Sequence, residues 1–262
     1  MTGRTRVLIT GAAGHIGGYL RAGLPEEYEL SGLDLRPAAG LPGHVADLTD
    51  FGAARPAFDG QDVIVDLANN PAGNLTWDLA YRNNIPAIYN SLRAAQEAGV
   101  RRYILASSNR ATEGYEADEP YKSICRGEYD GINPATIPLI TTAMPVRPNG
   151  PYGIAKAFGE AAGRYFSDTF GMSVICLRLG TVDRGDGQPH ALRQFATLLT
   201  RRDLVHLFHC AIEAPSNLTF AIFYGVSNNT WRFWDISDAQ RLIGYRPEDN
   251  MEDWRGRVQF DH

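Results

Sequence analysis

Short apolar runs alternate with stretches of helical periodicity along the first 180 positions of this 262-residue chain. TRVLIT at 5–10 is β-branched and apolar, and GAAGHIGGYLRAGL then opens a helix. EYELSGLDL predicts the second strand, and DVIVDLA at 62–68 a further one with a polar residue at its end. From Ile85 to Ala98 the apolar positions recur at helical spacing, and RRYILASS at 101–108 returns to a strand. Tyr152 to Phe170 is a second long helical pattern, followed by the strand SVICLRLG at 173–180. Strand-like runs separated by helical patterns predict βαβ units and a parallel sheet. Their near-continuous apolar character predicts helices on both faces. The expected fold class is α/β, a Rossmann-type doubly wound parallel sheet with a small C-terminal region.

The stretch from Glu113 to Pro151 breaks the pattern with Pro120, Pro134, Pro138, Pro145, Pro148 and Pro151, and it shows no sustained period. A segment of this length is either functional, as a lid or pocket wall, or a surface excursion. The aromatic run Trp231, Phe233 and Trp234 is expected to pack the C-terminal part onto the sheet.

Composition removes several classes of function. Apolar residues make up 44% and charged residues 21%, the balance of a globular protein rather than a disordered one. The formal charge is -5 with no basic block, so neither a nucleic acid nor a membrane surface is an expected partner. The first apolar run meets glycine at once and no apolar stretch reaches spanning length, which predicts a cytoplasmic protein. Cys125, Cys176 and Cys210 are far apart and odd in number, which predicts free thiols. No Cys-x-x-Cys pair offers a structural zinc site, so no metal is expected.

TGAAGHIG follows a strand and starts a helix, the setting a dinucleotide fingerprint requires. Gly11 permits the tight turn, Gly14 lets backbone approach a pyrophosphate, and Gly17 lets the helix pack closely on the strand. Ala13, His15 and Ile16 complete the loop. Asp34 ends the second strand, where a carboxylate accepts from both adenosine ribose hydroxyls and repels a 2′-phosphate, favouring NAD over NADP. Leu35 adjoins it, and Arg36 is placed to counter that charge. Asp47 and Leu48 are read as the end of a short third strand bordering the adenine. Leu67, Ala68 and Asn69 end the next strand, either facing the cofactor or forming a simple turn. Residues 1–180 are thus read as the NAD-binding domain, and 181–262 as a small substrate-binding region packed on it.

Tyr152 and Lys156 are four apart at a helix start and share one face. Ser107 and Ser108 end a strand whose loop emerges on the cofactor side, where open α/β sheets carry their chemistry. A phenol becomes a base when a neighbouring cation stabilises the phenolate, and Lys156 is placed to do so. Ser108 would hold a substrate oxygen, and Lys156 would also reach the nicotinamide ribose.

TGAAGHIG, Asp34, Asp47–Leu48, Ser107–Ser108 and Tyr152-x-x-x-Lys156 together resemble the extended short-chain dehydrogenase/reductases, often labelled NAD-dependent epimerase/dehydratase. The likeness covers nearly the whole chain. RNNI at 82–85 is similar to the segment whose asparagine supports a proton-relay water, matching Asn84 with Asn83 the alternative. ASSN at 106–109, GPYGIAKAFGE at 150–160, LRLGT at 177–181, FYGVSNN at 223–229 and LIGYRPEDN at 242–250 resemble uronate dehydrogenases. In its insert and length the chain also resembles haloarchaeal-type NAD-dependent glucose-6-phosphate dehydrogenases. The resemblance to uronate dehydrogenases implies substrate contacts from Ser108, Asn109 and Thr181, and a carboxylate-binding role for Arg193. Arg110 stands where those families usually place a histidine, adding charge beside the substrate. The two arginines suit a carboxylate or phosphate, or are salt-bridging surface residues.

The resemblance implies NAD-dependent oxidation of a uronate, aldose or sugar phosphate at its anomeric carbon to a lactone. The alternatives are an epimerase or dehydratase that retains its NAD, and a non-catalytic NAD-binding protein. It also implies a homodimer built on residues 85–98 and 152–169.

Overall fold

The computed structural model describes residues 3–70 and 75–260. Its strands are β1 (Thr5–Thr10), β2 (Tyr28–Asp34), β3 (Gly43–Val45), β4 (Val63–Asp66), β5 (Arg102–Ser108), β6 (Ser173–Leu179), β7 (Thr181–Val182), β8 (Leu198–Leu199) and β9 (Phe220–Gly225). Seven of these pair in the order β3-β2-β1-β4-β5-β6-β9, while β7 and β8 pair separately. Every pairing is parallel. The order reverses between β1 and β4, and beyond the carboxyl ends of strands at such a reversal an open sheet leaves a crevice.

Alternate residues of each strand serve opposite faces, because successive side chains point to opposite sides of the pleat. Val7 and Ile9 of β1 join a core with Leu20 of α1 (His15–Gly23) and with Leu204, Leu207 and Phe208 of a later helix. Leu8 joins the other core with Phe58, with Ile88 and Leu92 of α2 (Ile85–Glu97), and with Phe166 of α3 (Pro151–Phe170). The later helix is α4 (Arg201–Ile212), started by the Thr200 side chain, which accepts from Asp203 N at 3.3 Å. Pro151 occupies the first turn of α3, where its missing N–H costs nothing. Gly171 ends that helix at φ 71°, a left-handed position open to glycine.

Beyond residue 180 the chain gives β9 to the same sheet and α4 to the same core, neither of which the sequence pattern had marked. β3 is shorter than expected. It stops at Val45, and the Asp47 carboxylate accepts from Thr49 N at 2.8 Å, turning the chain away before Leu48.

The proline-rich insert is anchored in the core rather than loose, and no residue from 113 to 151 lines the main cleft at the strand ends. Tyr121, Ile124, Ile137 and Ile140 are buried in the α1–α4 core. Ile140 N donates to Phe233 O at 2.7 Å, and Asp235 N donates back to Ile140 O at 3.0 Å. The aromatic run therefore packs on the insert as well as on the sheet: Trp231 stacks on Tyr129 at 4.0 Å and Trp234 on Tyr224 of β9 at 5.9 Å.

Candidate active site

A cleft of about 770 Å³ opens at the carboxyl ends of the central strands, lined on one side by the glycine loop and on the other by Tyr152 and Lys156. Gly11 stands at φ 66°, and a Cβ there would meet Ala68 N at 3.0 Å. A Cβ on Gly17 would lie 2.6 Å from Ala12 O, so only glycine lets α1 begin this close to β1. Gly14, His15 and Ile16 line the cleft at the helix start, where unpaired N–H groups favour an anion. His15 Nε2 also reaches Asp183 O at 2.7 Å, tying the loop to the chain after β7.

The adenosine end is built from strand termini. Asp34 accepts from Ala13 N at 2.9 Å and from Arg36 N at 3.3 Å. Arg36 in turn donates to Ala13 O at 3.1 Å, so its guanidinium braces the glycine loop. Leu35, Asp47, Leu48 and Thr49 line the same end of the cleft. Leu67, Ala68 and Asn69 line its middle, with Leu67 N and Ala68 N both donating to Thr10 Oγ1 at 3.2 Å. Beneath them the wholly buried Asp66 carboxylate accepts from Thr10 and Tyr103. Burial pushes its pKa up despite those hydrogen bonds.

Asn84 ends a π-helical turn, Ala80–Asn84, and lines the cleft with Asn83. Its amide accepts from Asn70 N at 3.0 Å and donates to Asn70 O at 3.2 Å, pinning the chain after β4. A π-turn at this position re-aims one side chain without ending the helix.

Three elements converge on the reacting centre. Lys156 is buried, its Nζ donating to Ala106 O of β5 at 2.6 Å and lying 5.4 Å from the Tyr152 ring centroid. Ser108, in register with Leu179, ends β5. Its Oγ donates to Asn109 Oδ1 at 3.2 Å and accepts from Arg110 N at 3.2 Å. Gly153 allows α3 to start against this turn, since a Cβ there would lie 2.2 Å from Arg110 O. Ser107 points elsewhere, donating to Glu160 Oε1 at 2.6 Å.

Glu160, one turn past Lys156, belongs to a buried network that the sequence reading did not include. Arg178 of β6 donates to both its oxygens at 2.8 Å and to Tyr224 OH at 3.0 Å. Thr112 Oγ1 meets the same phenol at 2.9 Å and donates to Asn109 O at 3.2 Å. Burial disfavours the Arg178 charge, and the Glu160 contacts outweigh it, so its pKa is raised. A guanidinium inside the otherwise apolar run SVICLRL was the available signal for such a partner.

Asn109 is buried next to Ser108, and Thr181 pairs with Arg193, but none of Asn109, Thr181 and Arg193, nor Arg110, lines the cleft itself. Arg193 grips Glu116, Nε to Oε2 at 2.6 Å and Nη2 to Oε1 at 2.7 Å, and its Nη1 donates to Thr181 Oγ1 at 3.0 Å. Burial opposes this charge too, and Glu116 outweighs it, raising the pKa. Arg110 is half exposed and lies 3.6 Å from Glu113.

Bare backbone at Gly11 and Gly17, a carboxylate at the end of β2 and a Tyr–Lys pair across the cleft fit a nicotinamide dinucleotide. The chain matches the NAD dependent epimerase/dehydratase family over residues 7–202 and belongs to it. NAD is the cofactor of this family. It is 34% identical to the NAD-dependent glucose-6-phosphate dehydrogenase of Haloferax volcanii, over 95% of each chain. It is 30% identical to the L-arabinose 1-dehydrogenase (NAD(P)(+)) of the same organism, over 94% of this chain and 97% of that one. A mutant uronate dehydrogenase from Agrobacterium tumefaciens, solved with NAD, superposes with a TM-score of 0.80 at 28% identity, covering 97% of this chain and 88% of that one.

Proposed function

We propose that the protein oxidises a sugar or sugar acid at its anomeric carbon, forming a lactone with NAD as electron acceptor. The observation that carries this is the meeting of Ser108, Tyr152 and Lys156 on the cleft that the glycine loop opens. The similar proteins named above are dehydrogenases, and one is named for oxidation at carbon 1.

Gly11, Ala13, Gly14, His15, Ile16 and Gly17 hold the pyrophosphate at the N-terminus of α1, and Asp34 holds the adenosine ribose. Leu35, Arg36, Asp47 and Leu48 border the adenosine, and Leu67, Ala68, Asn69 and Asn84 border the middle of the cofactor. NAD, when bound, supplies the acceptor for the anomeric hydrogen and its two electrons. Tyr152, as phenolate, takes the proton of the anomeric hydroxyl. Lys156 stabilises that phenolate, and Ser108 fixes the oxygen that becomes the lactone carbonyl. Asn109, Arg110, Thr181 and Arg193 border the rest of the sugar, where positioning supplies much of the rate. The test is spectrophotometric detection of NADH formation across hexoses, pentoses, uronates and sugar phosphates. Cofactor binding without oxidation of any of them would refute the reading.

The same reading places two copies together through α2 and α3, where Tyr89, Ile154, Tyr165 and Phe170 stand exposed. Light scattering that finds a monomer at micromolar concentration refutes this. Among the described residues no helix is long and apolar enough to cross a membrane. The thiols of Cys125, Cys176 and Cys210 are free, which suits the reducing cytoplasm.

A further inference from the structure

Beside Ser108 the charge is already balanced by the protein's own side chains. Thr181, which accepts from Arg193, lies two residues beyond Leu179, the register partner of Ser108. Glu113 follows the Asn109–Ala111 turn after the single residue Thr112. The cluster therefore stands where β5 and β6 leave the sheet, next to Leu179, Gly180 and Val182, which line the cleft.

Arg193 has no free fork. Its Nε and Nη2 face the two oxygens of Glu116, and Nη1 donates to Thr181 and Thr197 at 3.0 and 3.3 Å. Nη2 also lies 3.6 Å from Glu113 Oε1. A carboxylate or phosphate recognised by Arg193 would have to displace Glu116. That carboxylate is only 10% exposed, and losing its cation beside Glu113 would leave two near-buried negative charges facing an anion. With Arg110 beside Glu113, two acids and two arginines sum to zero, so no positive excess attracts a charged sugar.

Glu113 Oε2 faces Arg110 Nε at 3.6 Å, and the wholly buried Trp234 ring centroid lies 6.0 Å from the Arg193 guanidinium carbon, so the cluster meets its own charges. A sugar hydroxyl needs no countercharge beside it, whereas a carboxylate or phosphate would find no free cation here.

We propose that the substrate is a neutral aldose, and that Glu113 and Glu116 select it by neutralising Arg193 and Arg110 against anions. This deepens the dehydrogenase reading and rests on it. Arg193 thereby becomes a holder of the selecting carboxylates rather than a receptor for an acid.

The experiment compares kcat/KM, at saturating NAD, for L-arabinose, D-xylose, D-galactose and D-glucose with that for D-galacturonate, D-glucuronate and D-glucose 6-phosphate. The best neutral sugar is expected to exceed the best anion by about tenfold or more. Glu116→Gln keeps the shape and removes the charge, and should narrow that preference by about tenfold. Glu113→Gln serves the same purpose should the first variant misfold. Preference for an anion by the unaltered protein overturns the proposal, as does an unchanged preference in both variants. Failure to oxidise any sugar overturns the dehydrogenase reading as well, and is told apart by the absence of NADH even with the neutral sugars.

Discussion

Lys156 is held under Tyr152 by the backbone: its ammonium donates to the Ala106 carbonyl at 2.6 Å and stands 5.4 Å from the phenol ring centroid. Among the described residues no carboxylate pairs with that ammonium at ion-pair distance, although the buried Asp66 feels its charge, so it stands ready to stabilise a phenolate. Tyr152→Phe should lower kcat by about 10²–10⁴-fold, the usual range for loss of a general base. The cleft keeps its walls in this variant, so NAD affinity by calorimetry should change little. Turnover close to that of the unaltered protein would remove Tyr152 from the mechanism.

Asp34 holds a position that also shapes the glycine loop, because it accepts from Ala13 N. Its charge opposes a 2′-phosphate, while Arg36 stands two residues away with its guanidinium on Ala13 O. Removing the carboxylate leaves that arginine as the local charge. Asp34→Ala should reduce the NAD-to-NADP ratio of kcat/KM by about tenfold or more, since each 1.4 kcal/mol of discrimination is a factor of ten. An unchanged ratio would show that another group sets cofactor choice.

What could be read along the chain was what is local along the chain. Gly11 to Gly17 and Tyr152 to Lys156 each fall within two turns of helix, and their spacing alone states their geometry. The strands of the Rossmann half were legible for the same reason, as apolar runs bounded by glycine or charge. The Arg193–Glu116 pair joins residues 77 positions apart, and nothing near either residue marks the other. β9 lies beyond α4 and a turn, so its place beside β6 depends on tertiary contacts that no periodicity records. Asp47 was misplaced onto a strand because an aspartate ending a β run and one capping a turn look alike in sequence. Glu160 was within reach, sharing a helix face with Lys156, but its role needed Arg178 from another strand.

Glu160 and Arg178 are both nearly sealed from solvent, with side chains 5% and 2% exposed. Removing one partner strands the other as a buried charge. Arg178→Met should therefore cost about 3–5 kcal/mol of unfolding free energy. Arg178→Met combined with Glu160→Leu removes both charges and should recover a large part of it, leaving the loss of the Ser107 and Tyr224 contacts. Urea titrations of the two variants measure this directly. A double variant no more stable than the single one would mean that the surrounding hydroxyls, rather than the ion pair, hold this region together.

The buried Asp66 carboxyl gives the fold a pH dependence of definite sign. Its burial disfavours the charged form, and the Thr10 and Tyr103 hydrogen bonds only partly offset that, so its folded pKa lies above the unfolded value of about 4. As pH rises, the unfolded chain gives up this proton first. Stability present at low pH is then lost progressively from about pH 4 up to the folded pKa, and the loss is constant above it. Asp66→Asn cannot ionise. Its amide oxygen can still accept from Thr10, while its nitrogen can donate to Tyr103 OH, whose proton is then free to turn to Ser91 at 2.9 Å. The melting temperature of Asp66→Asn, relative to the unaltered protein, should therefore rise from pH 4 upward and level off once the buried group ionises. Each pKa unit of elevation widens the gap by about 1.4 kcal/mol. A gap that stays flat across this range would mean that Asp66 ionises as readily in the folded protein as in the unfolded chain.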